Sequence, residues 1–342
     1  IEFRLTGQTE SARLTSALAD LLPEGNSIVL ILFDGLGVSQ VAHPTAVSLQ
    51  KSMKGTLESG FPSTTSTSLA TVATGLAPGG HGIVSHLMWM PEHKRIVNTL
   101  KWVDLTGAPV DHDYANLLPK PNLWERIRAS GIEPITVQPG DFENSPLTRM
   151  LYRGARFEGI WGIEDLINAT VSLAAEPGRF IFTYVPHVDY AGHVFGLTSP
   201  EFNEAIGVAS RIWDEIHHRL PAGVALLGTA DHGLIDYAED DKMLIRDARF
   251  DTLRMGGDSR GVQVWSTSDT AGSLASMTGG ELVAPESLIG PKVTTRALER
   301  LPPNLLLAPG GKVLLPRGFD KRLRAYHGGL APGELLIPLL LR

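Results

Sequence analysis

Ser27-Ile28-Val29-Leu30-Ile31-Leu32-Phe33-Asp34-Gly35 opens this chain's argument: an apolar run of β-formers that ends on an acid and a glycine. A strand that is apolar at successive positions, not alternate ones, is buried on both faces. That is the pattern of a parallel sheet covered by helices on each side. The texture recurs twice. Phe180-Ile181-Phe182-Thr183-Tyr184-Val185 runs on to Asp189 and His193, and Val224-Ala225-Leu226-Leu227-Gly228-Thr229-Ala230 runs into Asp231-His232-Gly233. In open α/β sheets ligands bind outside the carboxyl ends of the strands. Three strands therefore deliver acids and imidazoles to one edge.

Between these strands the pattern turns helical. Thr67 to Thr74 reads as the first turns of a helix stopped by Gly75. Asn122 to Ser130 is amphipathic, with Leu123, Trp124 and Ile127 on one face and Gly131 beyond it. Glu133 to Val137 is the next strand, Ile163 to Ala175 a helix before the strand Arg179 to Val185, and Pro200 to Leu220 a long helix before Gly223 to Gly228. A terminal strand spans Glu334 to Leu341. The alternation predicts a three-layer α/β/α sandwich with a mainly parallel central sheet. Trp89 to Pro121 and Ala238 to Leu315 break the alternation. The chain is therefore read as one domain, 1–342, with inserted loops at about 89–121 and 238–315.

With 342 residues, 43% of them hydrophobic, the chain can bury a large core. Its net charge of -7 gives no general attraction to nucleic acid or to an anionic membrane. An anionic substrate must then be held locally, as bound metal would do. The absence of cysteine excludes thiolate ligands and leaves His, Asp, Glu and hydroxyls, a set that suits zinc, manganese, magnesium or iron. No run approaches the ~18 apolar residues of a membrane span. The opening Ile1-Glu2-Phe3-Arg4-Leu5 is not a signal peptide. No membrane span is expected, and a cytoplasmic location is favoured.

The spacing of Asp189 and His193 puts a carboxylate and an imidazole on one face of a helical turn, as a shared metal needs. Adjacent Asp231 and His232 can both turn inward because Gly233 frees the backbone past the strand. His327, in Tyr326-His327-Gly328-Gly329, gains meaning as a third ligand beside Asp189 and His193. Ser63-Thr64-Thr65-Ser66-Thr67-Ser68 is an unbroken hydroxyl run leading into a helix. Ser and Thr favour the N-cap. A hydroxyl there also sits where backbone N–H groups stabilise an anion, and beside metal it can ionise and attack phosphorus. Spacing alone leaves Ser63, Thr64, Thr65 and Ser66 all open for that role.

The chain resembles the alkaline phosphatase superfamily, and within it the branch of type I phosphodiesterases, nucleotide pyrophosphatases and phosphonoacetate hydrolases. The matching stretches are Phe33-Asp34-Gly35, Pro62-Ser63-Thr64-Thr65, Thr74-Gly75-Leu76-Ala77-Pro78 and His81-Gly82-Ile83. They continue with Asp189-Tyr190-Ala191-Gly192-His193, Asp231-His232-Gly233 and His327-Gly328-Gly329, with Glu334 and Pro338 beyond. The resemblance implies an alkaline-phosphatase-like fold. It places the family nucleophile ten residues before the Gly of the Thr-Gly pair, which is Thr65. It further implies one metal ion held by Asp189, His193 and His327, and a second held by Asp34, Asp231, His232 and the Thr65 oxygen. Two zinc ions are expected, with manganese or iron as alternatives.

Departures accompany the match. Nucleotide pyrophosphatases follow the nucleophile with Phe-Pro-Asn, whereas Ser66-Thr67-Ser68 follows here, which puts nucleotide selection in doubt. The Asn that contacts a phosphate oxygen in that group falls on His86, a candidate substrate-binding residue able to donate a similar hydrogen bond. The Cys/Ser-x-Pro-x-Arg motif of sulfatases is absent, and so is the inserted domain of the phosphoglycerate mutases. Formally, two divalent ions bring four positive charges and Asp34, Asp189 and Asp231 remove three, so one remains. That balances a diester monoanion better than a monoester dianion. The reading is a two-metal hydrolase of small phosphate esters, a phosphodiesterase acting through a phospho-threonine intermediate. A phosphomonoesterase or phosphonate hydrolase with the same site, or a non-catalytic metal-binding relative, is the alternative.

Overall fold

Every residue of the strand Ser27–Phe33 is buried, as an apolar run without alternation requires. The computed structural model describes residues 1–9, 14–23, 25 and 27–342. Among the described residues, seven strands form the principal sheet. Across it the order is Met53–Glu58, Leu336–Leu341, Val224–Thr229, Ser27–Phe33, Arg179–Val185, Glu133–Pro139 and Arg156–Ile160. Ser27–Phe33 pairs in parallel with both neighbours, Ile28 lying opposite Phe180 on one side and Ala225 on the other. Leu336–Leu341 alone runs opposite to the other six strands. The carboxyl ends of the three apolar strands thus lie side by side.

Successive residues of Ser27–Phe33 point to opposite faces. Ile28, Leu30 and Leu32 join a core with Leu69, Ala70, Ala73 and Trp124. Val29, Ile31 and Phe33 join a second core with Ile206, Ala209, Ile212 and Trp213. Two cores on two faces make the three layers expected from the sequence. Helices Thr65–Thr74 and Leu123–Ala129 supply the first core, and Ile163–Ala174 and Pro200–Arg219 the second. The Leu123–Ala129 helix is fixed at its start by a reciprocal pair: Asn122 accepts from Glu125 N–H while Glu125 accepts from Asn122 N–H. Gly75, at φ 74°, ends Thr65–Thr74 where the sequence placed the stop. That helix begins two residues earlier than its apolar pattern does.

The two stretches expected as inserted loops hold most of a second sheet. Its order is Glu281–Val283, Asn304–Leu307, Gly261–Trp265, Arg254–Asp258, Leu87–Met90, Arg95–Asn98 and Val103–Asp104, with antiparallel pairings. It has its own core of Ile245, Phe250, Val262, Val264 and Leu306. Strands of two to five residues are too short to show a period, so they read as irregular chain. The last strand starts at Leu336, not Glu334. The turn Pro332–Leu335 comes first, because Glu334 folds back to accept from Ala331 N–H at 3.2 Å. No described helix is long and apolar enough to cross a membrane.

Candidate active site

The three strand ends place their acids by main-chain bonds. Asp34 N–H donates to Val185 O at 2.9 Å, and Asp189 N–H donates to Asp34 O at 3.0 Å, which sets two neighbouring strands in step. Asp189 and His193 both lie on the helix His187–Phe195, one turn apart as the spacing required, with His193 Nε2 3.2 Å from Asp189 Oδ1. Gly35 N–H and His232 N–H both donate to Asp231 Oδ1, at 3.1 and 3.0 Å. The Tyr184 hydroxyl donates to Asp34 Oδ2. Asp34 and Asp231 are therefore each tied down by one oxygen.

The other oxygens are left bare. Asp34 Oδ1, Asp189 Oδ1 and Asp231 Oδ2 are buried and have no hydrogen-bond partner among the described residues. The three imidazoles face them with the same tautomer. His193 Nδ1 bonds to Ala325 O at 2.7 Å, His232 Nδ1 to Gly233 O at 3.1 Å, and His327 Nδ1 to Ser63 O at 2.8 Å. A carbonyl only accepts, so each Nδ1 carries a proton, and each ring in its neutral form presents its lone pair at Nε2. His232 Nε2 lies 3.3 Å from Asp231 Oδ2 and 3.5 Å from Asp34 Oδ1. Lone pairs confronting unpartnered carboxylate oxygens inside a protein call for cations between them. The all-nitrogen and oxygen donor set fits divalent ions, zinc among them.

Two ligand groups emerge from geometry alone: Asp189 with His193 and His327, and Asp34 with Asp189 and His232. Asp189 belongs to both. Asp231 adjoins the second through its contact with His232. The electrostatics agree with a cation-shaped gap. Burial, then the charges of Asp231 and Asp189, push the Asp34 carboxyl well above the usual range. Burial, then Asp189, also raises Asp231, although His232 opposes this. Burial and the neighbouring His232 and His193 hold His327 well below an ordinary imidazole.

Thr65 is the first residue of the Thr65–Thr74 helix, and its Oγ1 lies 3.1 Å from His232 Nε2. The structure thus brings Asp34, Thr65, Asp189, His193, Asp231, His232 and His327 to one place. His86 is near enough to feel the charges of His193 and Asp189. Asn98 Oδ1 accepts from Leu100 and Lys101 N–H, so its amide nitrogen is the group that donates to His86 Nε2, at 3.2 Å. Burial, with the charges of His193 and Lys101, lowers the His86 imidazole to about 4, so it is neutral at pH 7. Nδ1–H remains available as a donor without charge. Ser66 is fully buried and its Oγ accepts from the Thr99 hydroxyl at 2.6 Å, so no aromatic platform follows Thr65.

Sequence reading missed Tyr184, Asn98 and the three carbonyls. A tyrosine inside an apolar strand was the one available signal, since a buried hydroxyl needs a partner. The carbonyls belong to Ser63, Gly233 and Ala325 and carry no side-chain signature.

The sequence model of the type I phosphodiesterase / nucleotide pyrophosphatase family matches residues 28–280. The chain belongs to that family. An uncharacterized pyrophosphatase/phosphodiesterase of Schizosaccharomyces pombe is 26% identical over 208 residues, which is 56% of this chain and 40% of that protein. Murine ectonucleotide pyrophosphatase / phosphodiesterase 5 shares the fold at a TM-score of 0.69, with 17% identity, over 91% of this chain and 87% of that one. Its inactive threonine-to-alanine form in complex with AMP matches at 0.70, with 16% identity, over 93% and 87%. Phosphonoacetate hydrolase from Sinorhizobium meliloti matches at 0.67, with 18% identity, over 94% and 91%. At such identities these structures establish the shared family fold.

Proposed function

We propose that the chain is a phosphodiesterase acting through a phospho-Thr65 intermediate. The observation that carries the reading is the position of Thr65. Its hydroxyl stands at a helix N-terminus, 3.1 Å from His232 Nε2, beside carboxylate oxygens that have no protein partner. Asp189, His193 and His327 would hold one divalent ion, and Asp34, Asp231 and His232 with the Thr65 oxygen a second, zinc being the best fit. Such ions, when bound, supply positive charge that eases ionisation of the hydroxyl and offsets charge on the phosphate. Thr65 Oγ1 attacks phosphorus in line, so the Oγ1–P bond forms as the ester P–O bond breaks and the alkoxide departs as an alcohol. Water then cleaves the phospho-Thr65 ester, releasing a monoester and restoring the hydroxyl. The first-turn N–H groups favour the anion throughout, and His86 would donate to it through Nδ1–H. The inactive threonine-to-alanine form of the murine relative supports the role given to Thr65.

The substrate class follows from charge. His86 is neutral and Lys101 is solvent-exposed, where its field is screened, so the formal charge of the loaded site stays near plus one. A diester monoanion matches it. We expect kcat/KM for an aryl phosphodiester to exceed that for the matching aryl monoester. A nucleoside group should add less than the ~1–3 kcal/mol that an aromatic stacking platform supplies, because Ser66 is buried where such a platform would stand. Rates on the two reporters, and on a nucleotide diester, test this. A clear monoester preference moves the reading to a phosphomonoesterase with the same residues.

A further inference from the structure

The loop that carries His327 is gripped from two sides. On the ligand side stands Ser63, fully buried in the segment that leads to Thr65. Its carbonyl accepts from His327 Nδ1–H at 2.8 Å, its hydroxyl accepts from Gly328 N–H at 3.2 Å, and the same hydroxyl donates to Gly329 O at 2.9 Å. On the far side stands the Glu334 carboxylate, fully buried as well. Its Oε1 accepts from Gly329 N–H at 3.1 Å and its Oε2 from Ala331 N–H at 3.2 Å. A Cβ on Gly329 would stand 2.7 Å from Glu334 Oε2 and 2.9 Å from Arg260 Cβ, so this approach needs a glycine.

A carboxylate inside a protein is costly unless it is paired. Here the partner is Arg260, itself buried, whose Nε lies 3.4 Å from Glu334 Oε2. Arg260 sits in the hairpin between Arg254–Asp258 and Gly261–Trp265, and it also donates to the carbonyls of Pro309 and Lys312. The second sheet thus supplies the charge that keeps Glu334 in place. Glu334 reaches the other ligand loop as well, but by its main chain. Gly233 N–H, next to His232, donates to Glu334 O at 2.9 Å.

We propose that Glu334 is a positioning residue for the ion held by Asp189, His193 and His327: its carboxylate, paired with Arg260, fixes the turn that aims His327. The inference rests on the reading of the site as a two-ion centre. Because the bond to the His232 segment runs through the main chain, a side-chain change at Glu334 spares it. The two ions should therefore respond unequally.

Graded chelator competition on the zinc-loaded protein tests this. The variants are Glu334→Gln, His327→Ala and the two combined, each checked for melting temperature. A glutamine keeps the size but offers one acceptor to two N–H groups, and its own amide N–H groups confront the Arg260 guanidinium. Glu334→Gln should weaken one ion about ten- to a hundredfold, the scale of losing a group that orients a metal ligand, and leave the other at wild-type affinity. His327→Ala should lose the same ion. In the His327→Ala background, Glu334→Gln should change nothing at the ion that remains, since the ring it positions is gone. A purely structural Glu334 would weaken the remaining ion too. Wild-type affinity for both ions in Glu334→Gln, equal weakening of both, or a further loss in the combined variant overturns the inference alone. His327→Ala protein that holds two ions as tightly as wild type overturns the reading of the site as well. If the glutamine variant fails to fold, Glu334→Asp, which keeps the charge beside Arg260 and withdraws the oxygens by one methylene, is read in the same way.

Discussion

Thr65→Ala is expected to lower kcat by at least ~10³-fold, the scale of losing a nucleophile or its oxyanion support. The substitution removes one hydroxyl and one methyl from a buried position, and alanine is at least as good a helix former as threonine. The fold should therefore survive. So should most of the metal, because Asp34, Asp231 and His232 remain at that position. Loss of rate with metal retained separates a missing nucleophile from a missing ion. Thr64→Ala is the control, and its effect should be mild, since that side chain makes no capping bond to the helix. Metal analysis and steady-state rates on one aryl diester, for both variants, make the measurement. An active Thr65→Ala beside a dead Thr64→Ala would falsify the register and move the nucleophile by one residue.

Exhaustive chelation should abolish activity, and zinc or manganese should restore it, with about two ions per chain in the active protein. The structural ground is the set of buried oxygens Asp34 Oδ1, Asp189 Oδ1 and Asp231 Oδ2, which have no partner among the described residues. Uncompensated, each costs stability, and their mutual repulsion pushes Asp34 and Asp231 toward the protonated form after burial has begun the shift. Metal should therefore raise the melting temperature independently of catalysis. An ion at a hundred times its Kd stabilises by about 2.7 kcal/mol, several degrees for a protein of this size. A metal-free protein that is fully active, and that melts at the same temperature with and without zinc, would sink the two-ion reading.

The strands that carry the candidate ligands were legible because burial on both faces leaves an apolar run that nothing else resembles. Arg179–Val185 occupies the residues its run predicted. The edge strands Met53–Glu58 and Arg156–Ile160 were not read at all. Lys54, Arg156 and Glu158 lie on them, and charge at a sheet edge blunts further pairing while hiding the strand pattern. The second sheet escaped for a different reason, since its strands are short and its two halves are joined across 170 residues of chain, Leu87 pairing with Gly257. At the site the ligand types were visible one by one, as acids and imidazoles just past strand ends. Their supports were not. Tyr184 stands inside an apolar strand whose pattern hides its partner, and Asp258, which accepts from His86 N–H, lies in Gly256-Gly257-Asp258-Ser259, a stretch with the composition of a turn. Nothing local tells a sequence reader that Asp258 meets His86.

All three imidazoles take their orientation from main-chain carbonyls, those of Ser63, Gly233 and Ala325. Every residue type supplies a carbonyl, so the course of the backbone sets these rings whichever side chains stand at the three supporting positions. Substitutions around the pocket can then leave the ring geometry unchanged. A lineage built this way can exchange one ester for another by altering neighbours such as Ser66 or His86, without first passing through an ancestor that has lost its imidazole cage.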